Sequence, residues 1–321
     1  VLAEVTANVQ FDMTRLSHRE SALLQTHLWV RRIKPLLEVR GMLQISDEAI
    51  YFQAHPNFSS DHVKRAGHSD IVHVFPRIYG LQANALEIIT RSGSCWYLCF
   101  QDRGQCDLVY SVIQNQRQKS TSSILHNSLG IGMPERLFRD VRRITALWQS
   151  GSLSNFHYLD FLNTAAGRSR NDFSQYPVFP WVLRDYKSME LNLDDPAVYR
   201  DLSKPIGALS EKRLASFKER MRGMTTDECF LYGTHYSTPA YVIYWLLRVM
   251  PERMLRMHSG HFDALARLFK SVSDSWETVN ESSTSLMELV PEFFVLPSNW
   301  LENKLGITMD EGLLGDVTLP P

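Results

Sequence analysis

Apolar and polar positions change period partway along the chain. From His27 the pattern is that of strands. His27–Val39 carries Leu28, Val30, Ile33, Leu36 and Leu37, interrupted by Pro35, which suggests a first strand with a bulge or an edge. Gly41–Ser46 alternates, Asp47-Glu48 reads as a turn, and Ala49–Gln53 returns. His55–Ser69 is polar and reads as a long loop. Ile71–Tyr79, Ala85–Arg91 and Cys95–Phe100 read as three further strands, with a tight turn at Arg91-Ser92-Gly93-Ser94. Asp102 then caps a helix with Leu108, Val109, Val112 and Ile113 on one face. Residues 1–25 carry no strong period and form a lead-in.

After a polar, breaker-rich connection over Gln114–Met133, the period becomes helical. Phe138, Val141, Ile144 and Trp148 share one face; Arg139, Arg142 and Arg143 lie largely elsewhere, as a solvated face or an acidic-partner contact. Ser154 or Asn155 caps a helix with Phe156, Leu159 and Leu162, and Ser210 caps one with Leu214, Phe217 and Met221. Thr238 and Pro239 start a helix, apolar nearly all round, that is expected to run through Arg248 in the middle of a core. Asp263 is expected to cap a helix with Leu265, Leu268, Phe269, Val272, Trp276 and Val279. Ser285-x-x-Glu288 has the spacing of a capping box, with Pro291 ending the segment.

Several stretches of the second half fit neither period. In Asn171–Trp181 two prolines exclude regular structure, yet Tyr176, Val178, Phe179 and Trp181 are too apolar for a solvated loop. Its backbone needs partners other than a ladder, and Asn171, Asp172, Ser174 and Gln175 are the local candidates. Arg200–Gly207 and Tyr232–Pro239 are similar, and the three strips are expected to cross in one irregular centre.

Composition narrows the function classes. The 321 residues carry a net charge of −1, so no global field favours nucleic acid. No apolar run is long enough to span a membrane. The four cysteines are Cys95, Cys99, Cys106 and Cys229. Cys95 and Cys99 lie too far apart on one strand to bridge, which fits a reduced, cytoplasmic setting. The start, Val1-Leu2-Ala3-Glu4, lacks Met and reads as part of a longer protein. Catalysis could be built only from Ser237, His235 and some Asp, without a nucleophile-elbow motif. His258, His261 and Asp263 match no strong metal spacing. No enzyme activity, cofactor or metal is expected.

Strands closed by one helix, over 26–118, have the plan of a pleckstrin-homology (PH) barrel. Arg31, Arg32, Lys34 and Arg40 lie near its first hairpin, where a phosphoinositide site would need them, but the adjacent Arg31 and Arg32 must point to opposite faces of an extended strand.

Four motifs then point to one family. NDFSQYPVFPW (171–181), RDLSKPIG (200–207), YGTHYSTP (232–239) and ELVPEFF (288–294) stand in the order and approximate spacing of the BEACH domain. Gly260–Asp263 and the Trp276 segment also resemble that family, which carries a PH-like domain just before the BEACH domain. The ending Asp316–Pro321 is most like the branch typified by FAN, the factor associated with neutral sphingomyelinase activation. The resemblance implies an α+β multidomain chain: lead-in 1–25, PH-like barrel with a C-terminal helix over 26–118, linker 119–133, and a mainly α-helical BEACH domain with irregular core segments over 134–321, C-terminally incomplete. It also implies a cytoplasmic scaffold in vesicle trafficking, membrane dynamics or receptor signalling, with WD repeats downstream. PH and BEACH domains are expected to pack as one unit around a groove for a protein partner. Tyr176, Phe179, Trp181, His235 and Tyr236 are the candidate groove residues. Asn171, Asp172, Gln175, Pro177, Pro180, Asp201, Lys204 and Pro205 are the candidate core motif. The alternative is peripheral membrane binding through the PH-like barrel, whose family members generally lack the basic phosphoinositide site.

Overall fold

A computed structural model describes residues 10–55, 63–120, 134–225, 227, 229–264, 267–309 and 312–317. The chain divides into two compact units, 1–149 and 150–321. The expected linker lies mostly outside the described residues.

The first unit is built on one antiparallel sheet of seven strands in the order β4-β3-β2-β1-β7-β6-β5. The strands are β1 (Leu28–Lys34), β2 (Leu37–Ile45), β3 (Ala49–Ala54), β4 (Lys64–Gly67), β5 (Ile71–Tyr79), β6 (Gln82–Thr90) and β7 (Cys95–Cys99). Alternation decides the faces. Val30, Val39, Leu43, Ile45, Ile50, Phe52, Leu86, Ile88 and Leu98 are buried in one cluster. Helix α1 (Arg103–Ser120) lays Cys106, Val109 and Ile113 against it. Asp102 Oδ1 accepts from Gln105 N at 2.9 Å, as a helix start requires.

Four expectations change here. Pro35 makes no bulge: Pro35-Leu36 is the turn between β1 and β2, with Leu36 at φ 50°. The polar loop over 55–69 contains β4, which forms because the open edge of β3 pairs with Lys64–Gly67 and not because β4 has an apolar period. Leu108 is exposed and Cys106 takes its place on the buried face. Gln114–Lys119 continues α1, since Gln, Arg and Lys are good helix formers.

The lead-in is part of this unit. Phe11 packs on Tyr51, next to Met42 and Ala49, on the face of the sheet away from the main core. Leu23 N donates to Ile45 O at 2.8 Å. The Glu20 carboxylate accepts from Ser46 Oγ at 2.7 Å and Tyr51 Oη at 2.6 Å. Helix α2 (Pro134–Gln149) closes the unit in sequence. On it Val141 and Ile144 are half-buried and Trp148 is exposed; the side chains of Phe138 and Arg139 lie outside those described.

The second unit is helical: α3 (Asn155–Ala165), α4 (Glu211–Arg222), α5 (Pro239–Trp245), α6 (Pro251–Met257), α7 (Val272–Glu281) and the single turn α8 (Glu292–Val295). Ser154, Ser210 and Thr238 are N-caps, as read from sequence. Helix α5 stops at Trp245 rather than Arg248. The chain turns there, and the Arg248 guanidinium donates to the carbonyls of Phe269 and Gly315. Helix α7 begins at Val272 under Ser271, not at Asp263; the Asp263 carboxylate accepts from its neighbour Ala264 N and lies 3.7 Å from Arg267 Nη1. Leu265 lies outside the described residues. Pro291 opens the turn α8 instead of ending a helix.

Candidate functional site

The second unit is organised around Glu288. This residue lies in an extended strip, Ser285–Val290, that no helix or sheet claims. Leu289 makes an isolated two-way bridge with Phe179, each amide donating to the other's carbonyl at 2.9 Å. The bridge holds the carboxylate of Glu288 under the Asn171–Trp181 strip. Its Oε2 accepts from Trp181 N at 2.9 Å, and its Oε1 lies 3.1 Å from Arg200 Nη1. The same strip accepts two indole N–H groups. Trp181 Nε1 donates to Met287 O at 2.9 Å and Trp245 Nε1 to Glu288 O at 3.0 Å. Burial pushes the Glu288 carboxyl above its ordinary range, although the Arg200 charge and the Trp181 amide oppose the shift.

Aromatic packing seals the hub. The Trp181 ring lies 5.7 Å from Trp245, 5.3 Å from Trp276 and 5.5 Å from Tyr186. These separations suit edge and tilted contacts. Gly207 must be glycine: a Cβ there would lie 2.5 Å from the Tyr232 ring and 2.8 Å from Leu286. Arg213 donates to the carbonyls of Val279 and Ser285 and lies over Phe217. The three strips therefore meet at a fourth, Ser285–Val290.

The Asn171–Trp181 strip obtains its partners mostly from elsewhere. Asn163, on α3, clasps Val178 from both sides: Nδ2 donates to Val178 O at 2.9 Å and Oδ1 accepts from Val178 N at 2.8 Å. Arg168 Nη1 donates to Tyr176 O at 2.8 Å. Tyr176 Oη donates to Glu292 Oε1 at 2.7 Å. Of the local candidates, Asp172 is buried and caps the turn at Ser174 N, 2.9 Å away. Asn171 is half-buried, and Ser174 and Gln175 are exposed. Gln175 contributes only its backbone, accepting from Ser169 N. Its placement in the core motif is corrected: the strip turns its side chain to solvent. Pro177 is buried and Pro180 half-buried.

The second strip also divides differently from expectation. Asp201, Lys204 and Pro205 are exposed; Arg200, Ile206 and Gly207 carry the burial. Asp201 closes a local turn onto Ser203 N at 3.0 Å, and its carboxyl is held below its ordinary value chiefly by the Ser203 hydroxyl.

Among the candidate groove residues, Tyr176, Phe179 and Trp181 are buried, at 3%, 1% and 0% exposure. They are core, because their apolar rings fill the space that helices leave beside proline-broken backbone. His235 is exposed and Tyr236 half-buried. Ser237 Oγ is buried and makes no hydrogen bond among the described residues, so it is not coupled to His235. Among the described residues no group of His, Cys, Asp or Glu is placed to hold a metal.

Glu288, Arg200, Asn163, Arg213 and Arg248 were not legible as the hub. Two of them carried a usable signal, a lone charge within an apolar run: Glu288 between Met287 and Leu289, and Arg248 after Trp245-Leu246-Leu247. Such a charge is buried only when paired. The capping-box spacing at Ser285 concealed the first.

The four basic residues near the first hairpin separate by parity. Arg32 lies on the core side, over Trp96 at 5.5 Å, and donates to Cys95 O. Arg31 and Arg40 face each other on the opposite side of the sheet.

Residues 146–321 match the profile described as Beige/BEACH domain, and residues 30–114 match that of the PH domain associated with Beige/BEACH. The chain is 36% identical over 310 residues to putative neurobeachin homologues of Caenorhabditis elegans and Caenorhabditis briggsae, covering 90% of this chain. It spans 12% of the length of either relative. The solution structure of the N-terminal PH domain of ARAP2 protein from human shares 12% identity, at a TM-score of 0.27 over 34% of this chain and 92% of that one. Among the described residues, no helix is long and apolar enough to cross a membrane.

Proposed function

The chain belongs to the Beige/BEACH family and carries the PH-type domain associated with it, and on that premise we propose that it is a non-enzymatic interaction module of a larger scaffold in vesicle trafficking, membrane dynamics or receptor signalling. The observation that carries this reading is how the buried polar groups of the second unit are used. Glu288, Arg200, Asn163, Arg213 and Arg248 bind backbone or each other. A scaffold needs that rigidity to present a surface.

The surface proposed for a protein partner is the exposed end of the third strip, with His235 and Tyr236 as contacts. Capture from cell extract by the immobilised chain tests it. His235→Ala with Tyr236→Ala should lose partners while melting unchanged. Unaltered capture would remove these residues from the interface. An esterase or lipase activity abolished by Ser237→Ala would replace the scaffold reading with a hydrolytic one.

Family membership also supports the proposal that the PH-like domain (26–118) and the BEACH domain (134–321) act as one folding unit. A single calorimetric transition is expected; two well-separated transitions would contradict it. Within the family, the Asp316–Pro321 segment is what supports the FAN branch, while the neurobeachin homologue of Caenorhabditis elegans is 36% identical to this chain over 310 residues.

A further inference from the structure

Charge, a concavity and free hydrogen-bonding groups coincide at one place on the first unit, on the side of the sheet away from its main core. Arg31 on β1 is the direct cross-strand partner of Arg40 on β2, opposite the side that Val30 and Val39 occupy. Like charges directly opposite destabilise a sheet, so folding does not account for the pair. Arg31 is answered within the unit: Glu38 Oε2 lies 2.9 Å from its Nη1, and its Nη2 donates to Cys99 Sγ at 3.0 Å. Arg40 has neither a carboxylate nor a hydrogen bond among the described residues, and its guanidinium lies 4.8 Å over the Trp29 ring. Stacking of this kind orients the planar fork and leaves its N–H edge available, the geometry that a carboxylate takes with two parallel bonds.

Both arginines line an open pocket of about 340 Å³ with Trp29 and the carboxamides of Gln82, Asn84 and Gln101. Two guanidinium groups set against Glu38 leave one positive charge, which matches one carboxylate; a phosphate monoester carries nearly two negative charges. The carboxamides favour the same class of ligand. Asn84 Nδ2 donates to Gln82 Oε1 and Phe100 O, which leaves the Gln82 amide group as a donor. Gln101 is exposed, and its carboxamide has no hydrogen bond among the described residues, so it offers an acceptor as well as donors. A peptide group uses both, through its N–H and its C=O. A phosphate dianion has only accepting oxygens and leaves the acceptor idle.

The turn that leads into Gln82 supplies an apolar contact. Tyr79 pairs with Gln82, so β5 and β6 are joined by Gly80 and Leu81 alone, with φ of 56° and 66°. Such a turn favours Asn or Gly at both places. Leucine is strained there, and this one is 99% exposed. A single exposed leucine is ordinary; one held against its backbone preference beside a pocket of unanswered polar groups is not.

We propose that this pocket docks an acidic segment of a partner protein. An Asp or Glu side chain of that segment takes the free edge of Arg40, Gln82 and Gln101 bond the peptide groups beside it, and an apolar residue next to the acid meets Leu81. The site belongs to the first unit and does not depend on the His235 and Tyr236 surface of the second.

Panning a phage library of random dodecapeptides on the immobilised chain tests the proposal, with fluorescence anisotropy of the enriched peptides as the affinity measurement. Enrichment of an Asp or Glu next to an apolar residue is expected, and the same panning on Arg40→Gln should lose it. An enriched peptide should bind Arg40→Gln about tenfold more weakly. Glu38→Gln should act in the opposite direction and tighten the peptide about twofold, because it frees Arg31. Leu81→Asn should weaken binding while melting at the same or a higher temperature, since Asn suits the turn. Panning without acidic enrichment overturns the proposal, as does wild-type binding by Arg40→Gln or Leu81→Asn, or weaker binding by Glu38→Gln. Loss of the peptide from His235→Ala with Tyr236→Ala would place it on the second unit and overturn the proposal too. Sedimentation with vesicles that contain phosphatidic acid, without acidic enrichment in the panning, would assign the pocket to a phosphate and equally overturn the protein partner.

Discussion

The two units solve the same problem by opposite means. In the first, backbone groups pair with one another along β1–β7, and side chains are left to alternate between core and outside. In the second, Pro177, Pro180, Pro205, Pro239 and Pro291 break every stretch that could extend a ladder through the centre. Long side chains supply the missing partners: Asn163 to Val178, Arg168 to Tyr176, two indoles to the Ser285–Val290 strip, and Arg248 to Phe269 and Gly315. A proline-broken core is therefore specified by particular polar residues, where a sheet is specified by period.

That contrast can be broken by mutation. Its strongest test is Glu288→Ala. It leaves the Arg200 guanidinium and the Trp181 amide buried without their partner, and should cost about 3–5 kcal/mol in urea unfolding. A loss below about 1 kcal/mol would mean the hub relaxes around water and is not organised by the carboxylate. Asn163→Ala comes next. Removing the clasp on Val178 should cost about 1–3 kcal/mol, and amide exchange at Val178 should rise with it. No change in exchange would show that the clasp is dispensable.

Asp172 and Gln175 provide an internal control within one strip. Asp172→Ala removes the cap on Ser174 and should cost about 1 kcal/mol, whereas Gln175→Ala should stay within about 0.5 kcal/mol. Equal losses would return Gln175 to the core motif. The smallest effect concerns the first unit and pH. His68 Nε2 is 2.9 Å from Ser46 O, and its Nδ1 is buried without a partner among the described residues. Burial holds this imidazole below its ordinary value. The unfolded chain thus binds a proton that the folded one refuses, and stability falls as pH drops through about 6.5 until the lowered folded value is passed. His68→Gln should flatten that part of the melting-temperature profile; an unchanged slope would exclude His68 as its source.

Legibility follows the same division. Six of the seven strands are visible in the apolar pattern, as are the N-caps Asp102, Ser154, Ser210 and Thr238, because these signals are local. Strand β4 was not, because Lys64–Gly67 becomes a strand only by pairing with β3. Alternation continues on both sides of Pro35, which suggests a bulge or an edge, but a tight turn preserves the same parity. In the second unit the strips themselves were plain, since prolines among aromatics exclude regular structure. Which residues serve them was not. Asn163 and Glu288 lie 15 and 107 positions from the amides they hold.

The amino-acid order alone determined the β-then-helical division, the irregular strips with their aromatic content, and the opposite faces of Arg31 and Arg32, because each follows from spacing along one segment. Only the tertiary structure decided that Glu288 is a hub rather than a cap, that Tyr176, Phe179 and Trp181 are core, and that Arg31 meets Arg40. Those outcomes depend on register and on approach between distant segments, and a carboxylate or guanidinium takes its role from whatever charge or backbone group the fold brings within a few ångströms.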